Sequence, residues 1–151
     1  MLNILVIMIA TNQLEIEVPF IDITVPAGFP SPAADYTEDR INLNNFLIKN
    51  PLSTFVVKCS GLSMVNAFIP PVCHLVVDRS LKAKNGDIIL AFVNGGFTVK
   101  YLQINEHKCR LIPANRKMKE IEITDQSELI IWGVVTRIIS NPNDFKNVCF
   151  G

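Results

Sequence analysis

Ser63 lies in a stretch whose residue types and position suit nucleophilic chemistry. Residues 58–64 (KCSGLSM) follow an apolar run rich in β-branched residues, at a point where a strand gives way to a turn. A serine at such a turn can attack a carbonyl carbon once a neighbouring base removes its proton. The alternative is an ordinary turn serine that hydrogen-bonds its own backbone.

Lys100 is the candidate base. Strand alternation within residues 97–102 (FTVKYL) places Thr98, Lys100 and Leu102 on one face. If that face is the inner one, desolvation lowers the pKa of the amine from about 10.4, because burial disfavours the charged form. A neutral amine can accept a serine proton, and Ser-Lys pairs are a known variant of the serine peptidase site. The alternative is a lysine on the outer face with its ammonium in water.

The Ala27-Gly28 bond is the candidate substrate. Residues 26–34 (PAGFPSPAA) contain three prolines and one glycine, which predicts an extended and exposed connector. Such a segment offers accessible carbonyls to a peptidase cleft, and two small residues in succession fit a narrow one. On composition alone, an ordinary linker is the alternative.

Composition narrows the classes of function. A chain of 151 residues, 49% of them hydrophobic and 19% charged, can form one domain with a real core and is not disordered. Fourteen basic residues balance fourteen acidic ones, which argues against direct, sequence-specific DNA binding. The apolar run at residues 2–10 is far shorter than the ~20 residues that span a bilayer, so we expect a cytoplasmic protein without a membrane segment.

The four cysteines are far apart and form no CxxC pair, which predicts reduced thiols in the cytosol. Cys73 and His74 could be combined with His107 and Cys109 into a metal site, but the spacings match no zinc pattern. We therefore expect neither a metal nor another cofactor.

The remaining patterns predict a mainly β fold. Residues 1–27 indicate an extended N-terminal arm broken by proline, and residues 37–50 indicate one short helix capped by Thr37. Alternating apolar residues predict strands, and Asn94-Gly95-Gly96 predicts a hairpin turn. The predicted strands are residues 55–58, 75–78, 87–93, 97–104, 109–112, 120–123 and 129–139. Strands at this spacing are typical of a partly closed β-barrel or sandwich, with residues 141–151 left as a loose tail.

Taken together, the motifs resemble the UmuD family, the LexA-related self-cleaving serine peptidases of the bacterial DNA-damage (SOS) response. They occur in the family's order and at about its spacing, over residues 26 to 138. The match is closer to UmuD than to LexA, because no DNA-binding domain precedes the connector. The matching pieces are AGFPSPAADY (residues 27–36), SGLSM (60–64), Asp78, GDI (86–88), FTVK (97–100) and WGVV (132–135).

The resemblance implies a LexA/signal-peptidase-like fold and a specific set of roles. Ser63 falls on the nucleophile, Lys100 on the general base and Ala27-Gly28 on the scissile bond, while the backbone N–H groups of Ser63 and Met64 would hold the oxyanion. It further implies cleavage promoted by a RecA filament, removal of the arm 1–27, and a connector 28–36 that leads into a catalytic domain at 37–140. The shortened homodimer would serve a UmuC-type DNA polymerase in error-prone translesion synthesis.

Two departures from the family pattern keep a second hypothesis open. Leu62 stands where an acidic residue is usual, and residues 70–74 (PPVCH) replace a Gly-Asp-rich turn, so the predicted loop there differs. The alternative is therefore a non-catalytic module for dimerisation and polymerase binding, with a vestigial dyad. A membrane enzyme of the signal-peptidase type is not favoured, because the sequence shows no membrane anchor.

Overall fold

The computed structural model describes residues 16–30 and 37–148, which fall into two units divided between Leu47 and Ile48. The predictions for residues 1–15, for residues 31–36 of the connector and for Cys149 lie outside the described residues. The predicted segment bounds at 27, 36 and 140 concern cleavage and remain predictions. No helix among the described residues is long and apolar enough to cross a membrane.

The first unit is a two-stranded antiparallel sheet followed by one helical turn. Strand β1 (Glu17–Asp22) pairs with β2 (Thr37–Asn42), and α1 (Leu43–Leu47) follows directly. The predicted helix over residues 37–50 is therefore wrong in its first half. The cap and the acidic residues that favour a helix here act only locally. The pairing of all of β2 with β1 outweighs them. Asn42, and not Thr37, accepts a hydrogen bond from a backbone N–H of the helix, that of Asn45 at 3.2 Å.

The second unit is one seven-stranded antiparallel sheet. Its strand order is β3-β4-β9-β5-β6-β7-β8, so β3 and β8 are the two edges. The mainly β fold class predicted from the sequence is confirmed, and two of the seven predicted strands have the observed bounds. The strands are β3 (Thr54–Ser60), β4 (Val72–Asp78), β5 (Ile88–Val93), β6 (Gly96–Ile104), β7 (Cys109–Ile112), β8 (Ile121–Ile123) and β9 (Leu129–Ile139).

Strand β5 lies at the centre of the core. It is hydrogen-bonded to β9 on one side and to β6 on the other, and its alternate residues pack on opposite faces of the sheet. Leu90 packs with the cluster around Met64 and Leu75, whereas Ile89 and Ala91 belong to a second cluster. This burial on both faces explains why residues 88–93 form a continuous apolar run. The Asn94-Gly95 turn to β6 has positive φ at both residues, as the hairpin prediction requires.

Two predicted irregular segments are more ordered than expected. Strand β4 begins at Val72, and its residues 72–74 pair with residues 60–58 of β3. The loop predicted over residues 70–74 is therefore wrong for the three residues after Pro71. Pairing with β3 sets this boundary. Proline has no N–H to donate to a neighbouring strand, and Pro70 and Pro71 both precede Val72, the first paired residue of β4. In the predicted tail, Asn141 caps a 3₁₀ turn at Pro142–Phe145 with a reciprocal capping box.

The end of β4 carries a buried carboxylate. Asp78 is only 3% exposed, and its oxygens accept hydrogen bonds from Asn50 Nδ2 at 2.6 Å, Ser53 Oγ at 2.8 Å, and both Oγ and N of Ser80 at 2.7 and 2.8 Å. The bond from Asn50 makes the largest contribution in lowering the pKa of Asp78 from 3.8 to about 2. The network ties the chain before β3 to the end of β4.

Removing the Asn50 amide is expected to destabilise the protein in a pH-dependent way. A carboxyl group whose pKa is lower in the folded state stabilises the fold above its unfolded value, and that contribution disappears as the pH falls from about 4 to about 2. Asn50→Ala should therefore reduce the free energy of unfolding by about 2 kcal/mol at neutral pH, and by less near pH 3. Urea denaturation at both pH values measures the difference. The matched truncation of the exposed amide Gln103 should change little at either pH, and a pH-independent loss in Asn50→Ala would contradict the assignment.

Candidate active site

Ser63 lies on a tight turn directly after the edge strand β3. We call residues 61–64 the serine turn. Gly61 adopts a φ of 95°, which an L-residue rarely adopts, so the chain can leave β3 sharply at this point. At the other end of the turn, the side chain of Met64 is 2% exposed and packs into the core cluster. The serine turn is therefore anchored at one end by a strand and at the other by the core, with Ser63 half-buried between them.

Lys100 reaches the serine from the middle of β6. Its Nζ lies 2.9 Å from Ser63 Oγ, 2.8 Å from Thr98 Oγ1 and 3.0 Å from the Val99 carbonyl oxygen. Lys100 is only 8% exposed, so it lies on the inner face of β6 and not on the solvent-exposed one. The structure thus brings together two residues that are 37 positions apart in the chain.

The contacts of Lys100 suit a neutral amine. A neutral amine has two N–H groups and one lone pair, and the Val99 carbonyl can only accept. If the two N–H groups are donated to Val99 O and Thr98 Oγ1, the lone pair is left to accept the hydroxyl proton of Ser63. An ammonium group would instead donate to all three oxygens. The geometry therefore accommodates both the free base and the protonated form that follows proton transfer.

Burial shifts the acid–base equilibrium of Lys100 towards the neutral form. Desolvation is the main cause that lowers the pKa of the Lys100 amine below its ordinary value of 10.5, and the thiol of Cys59 opposes it. None of the ion pairs found within residues 16–30 and 37–148 includes Lys100, so no carboxylate in this part of the chain holds the amine in its charged state.

A groove of about 470 Å³ runs beside the serine turn, between β3 and β6. These strands are separated by three others in the sheet order, so the sheet must curve for them to face each other. The surface of the groove is mostly apolar, which suits an extended peptide with apolar side chains. It is lined by Phe55, Val57, Lys58, Cys59, Ser60, Leu90, Phe97, Thr98, Val99 and Trp132.

Three aromatic residues that line the groove are connected by edge-to-face ring contacts and by the cation of Arg79. The guanidinium of Arg79 lies 5.2 Å from the ring centre of Phe55 and 5.1 Å from that of Trp132. The ring centre of Phe97 lies 5.0 Å from that of Trp132 and 5.2 Å from that of Phe92, and both pairs have edge-to-face geometry. These contacts hold rigid rings on both walls of the groove.

The proposed scissile residues lie in the first unit. Ala27 and Gly28 are both exposed, in a bend that follows four residues without regular structure after β1. An added Cβ at Gly28 would meet no atom within 4 Å. This bond is accessible, as the connector prediction expects.

Some features of the site were not predicted from the sequence. Thr98 was placed on the same face as Lys100, but its contact with Nζ was not foreseen. Asn115, whose side chain donates to the Leu62 carbonyl at 2.9 Å, carries no sequence signal at all. Leu62 itself is 49% exposed, which explains how an unusual residue is accommodated beside the serine. The oxyanion roles of the Ser63 and Met64 amides remain predictions.

The cysteines and histidines do not form a further site in the part of the chain that the structure describes. There, no three side chains of His, Cys, Asp or Glu are arranged to hold a metal ion. Cys59, Cys73 and Cys109 are free thiols, and Cys59 faces Cys73 across β3 and β4. Burial, as the first of several causes, raises the pKa of the Cys73 thiol to about 12, so this thiol resists ionisation.

Comparison with known proteins identifies the family. A model of the Peptidase S24-like family matches residues 19–136. The chain is 39% identical to the protein MucA of Salmonella typhimurium over 127 residues, which cover 83% of this chain and 86% of MucA. It is 43% identical to the protein SamA of Salmonella typhimurium over 114 residues, covering 76% and 79% of the two chains.

The chain is also similar to a LexA repressor, but the match covers a smaller share of that protein's length. The LexA repressor of Alcanivorax borkumensis is 33% identical over 121 residues, which are 80% of this chain but 58% of that protein. The predicted resemblance to UmuD-like proteins and LexA is confirmed by these relatives. The chain belongs to the Peptidase S24-like family.

Proposed function

We propose that this protein is a serine endopeptidase that cuts its own Ala27-Gly28 bond, with Ser63 as nucleophile and Lys100 as general base. The observation that carries the proposal is the 2.9 Å contact between Lys100 Nζ and Ser63 Oγ at a buried amine. Membership of the Peptidase S24-like family supports a peptidase, and the exposure of Ala27 and Gly28 supports this bond as the substrate.

The proposed reaction needs no group beyond the dyad, backbone amides and water. Ser63 Oγ attacks the carbonyl carbon of Ala27 while Lys100 Nζ takes the hydroxyl proton. The resulting oxyanion accepts hydrogen bonds from the backbone N–H groups of Ser63 and Met64. Lys100 then gives its proton to the departing amine of Gly28, which leaves Ala27 as an ester on Ser63. A water molecule, deprotonated by Lys100, attacks the ester; Lys100 then returns that proton to Ser63 Oγ as the bond to the acyl carbon breaks, and Ala27 leaves with a free carboxyl group.

Thr98 and the Val99 carbonyl fix the direction of the base in this scheme. Each removes one N–H of the neutral amine from competition, so that the lone pair faces the serine. Burial of Lys100, which is only 8% exposed, keeps water from the amine and favours its neutral state. Since no carboxylate or histidine takes part, the pH dependence of the reaction reports on Lys100.

The partners of the protein are proposed from the family resemblance. Cleavage promoted by a RecA filament would remove the arm 1–27. The shortened cytoplasmic homodimer would then act as accessory subunit of a UmuC-type, error-prone DNA polymerase in the SOS response. The similarity to MucA and SamA over most of their lengths supports a protein of this organisation. The balance of charges supports action through protein partners and not through direct DNA contact.

The pH profile of self-cleavage tests the proposed function. Because only the neutral amine can accept the serine proton, the rate should rise about tenfold per pH unit below the pKa of Lys100 and level off above it. Burial lowers that pKa, so the plateau should begin below the pH expected for an exposed lysine. Purified full-length protein is incubated at increasing alkaline pH, and the fragment beginning at Gly28 is quantified by mass spectrometry.

The same incubation decides between the peptidase and a non-catalytic module with a vestigial dyad. A vestigial dyad should give no fragment at any pH, with or without a RecA filament on single-stranded DNA. A fragment that appears at a rate independent of pH would point to a contaminating protease and contradict the role of Lys100.

A further inference from the structure

The segment after β7 contacts the serine turn in two places and Asn66, just after the turn, in a third. Asn115 Nδ2 donates to the Leu62 carbonyl at 2.9 Å, and the backbone N–H of Asn66 donates to the Ala114 carbonyl at 2.9 Å. In addition, the Ala114 N–H lies 3.4 Å from the sulfur of Met64. A loop far away in sequence therefore holds the serine turn from the outside.

The Asn115 contact acts on the peptide unit that contains the nucleophile's own N–H. The carbonyl of Leu62 and the N–H of Ser63 belong to one planar trans peptide, in which they point in opposite directions. When Asn115 holds the carbonyl on its own side, the Ser63 N–H must point away from Asn115. The side-chain amide thus sets the direction of one of the two proposed oxyanion donors.

The amide of Asn115 is itself held in one orientation. Its Oδ1 accepts a hydrogen bond from the backbone N–H of Lys117 at 2.9 Å. Because an N–H donor must meet the amide oxygen, the Nδ2 group is the end left to face the Leu62 carbonyl. Both ends of the side chain therefore have a partner, and a flipped amide would lose both bonds.

We propose that Asn115 is a positioning residue that orients the Leu62–Ser63 peptide so that the Ser63 N–H can stabilise the oxyanion. This role rests on the proposed function, since it concerns the same reaction. Asn115 touches neither the scissile bond nor Lys100 in this role; it acts through the backbone of the serine turn. Removal of a single oxyanion donor slows acyl transfer by about 10²- to 10³-fold, and a misdirected donor should cost a part of that.

The test compares self-cleavage of full-length Asn115→Ala, Asn115→Asp and Asn105→Ala with the unmodified protein. Aspartate keeps the acceptor for the Lys117 N–H but cannot donate to Leu62. Asn105 is the matched control, because its Oδ1 accepts from the N–H groups of His107 and Lys108 in the neighbouring turn, away from the serine. Both Asn115 variants should cleave about 10- to 100-fold more slowly, and Asn105→Ala within about twofold of the unmodified rate.

The pH profile separates positioning from a general loosening of the site. If Asn115 only orients the peptide, the Asn115→Ala rate should fall by the same factor at every pH and the thermal midpoint should stay close to the unmodified value. If the substitution instead exposed the Lys100 amine to water, the pKa of Lys100 would rise and the profile would shift to higher pH. That shift, a full rate in Asn115→Asp, or a full rate in Asn115→Ala would overturn the positioning role while leaving the proposed function intact. An unmodified protein that never cleaves would overturn both.

Discussion

Ser63→Ala and Lys100→Arg are both expected to abolish release of the fragment that begins at Gly28, with rates reduced by at least about 10³-fold. Alanine removes the attacking oxygen. Arginine keeps a positive charge and hydrogen-bond donors but cannot become neutral at accessible pH, so it cannot serve as the base. Loss of cleavage in Lys100→Arg therefore distinguishes proton transfer from simple electrostatic stabilisation. Fragment release over time at alkaline pH, followed by mass spectrometry, gives the rates.

The groove offers matched controls for both substitutions. Ser60 and Lys58 line the groove that begins beside the serine turn, but neither is among the hydrogen-bond partners of Lys100 Nζ. Ser60→Ala and Lys58→Arg should retain cleavage within a few-fold of the unmodified rate, since neither residue contributes to the proposed proton transfer. Substantial cleavage by Lys100→Arg would exclude Lys100 as the base, and substantial cleavage by Ser63→Ala would exclude Ser63 as the nucleophile.

Gly133→Ala is expected to destabilise the fold strongly. A Cβ at Gly133 would lie 2.7 Å from Val77 Cγ1, 2.8 Å from the Asp78 carbonyl oxygen and 3.0 Å from its carbon. Two of these atoms are backbone in the adjacent strand β4, so the clash cannot be relieved by a rotamer change. We expect a loss of about 3 kcal/mol in the free energy of unfolding and a melting temperature lower by about 10 °C.

Gly96 provides the control for Gly133. It also lies in a strand, at the start of β6, but an added Cβ there would meet no atom within 4 Å. Gly96→Ala should therefore change the free energy of unfolding by no more than about 0.5 kcal/mol. Equal melting temperatures for the two variants, measured by circular dichroism, would show that β4 and β9 can separate enough to admit a methyl group.

The strands of the second unit were predictable because their signals are local. Alternation and flanking turn residues place β7 and β9 at the observed bounds, and Asn94-Gly95 marks the hairpin. Strand β2 was missed because its residues resemble the start of a helix when read alone. Its partner β1 lies about twenty residues earlier in the chain. The register, in which Glu17 pairs with Asn42 and Asp22 with Thr37, cannot be predicted from local sequence patterns.

The candidate site was predictable in part for a similar reason. Strand alternation put Thr98 and Lys100 on one face, and the family motifs singled out Ser63, but neither predicts a distance. Asn115 could not have been found, because an asparagine in a loop has many ordinary uses in turns. Its relation to the serine turn depends on where the end of β7 lies after the sheet has formed, which is a property of the tertiary structure.

The curvature of the sheet has a consequence for how the reaction can be controlled. Ser63 follows the edge strand β3 and Lys100 sits on β6, so the nucleophile and the base are joined mechanically through β4, β9 and β5. Their separation thus depends on the bend of the whole sheet, together with the contacts that the segment after β7 makes with the serine turn. A substitution in β4, β9 or β5 that changes this bend should therefore change the distance between Lys100 Nζ and Ser63 Oγ without touching either residue. The rate of proton transfer between the two residues would change with that distance.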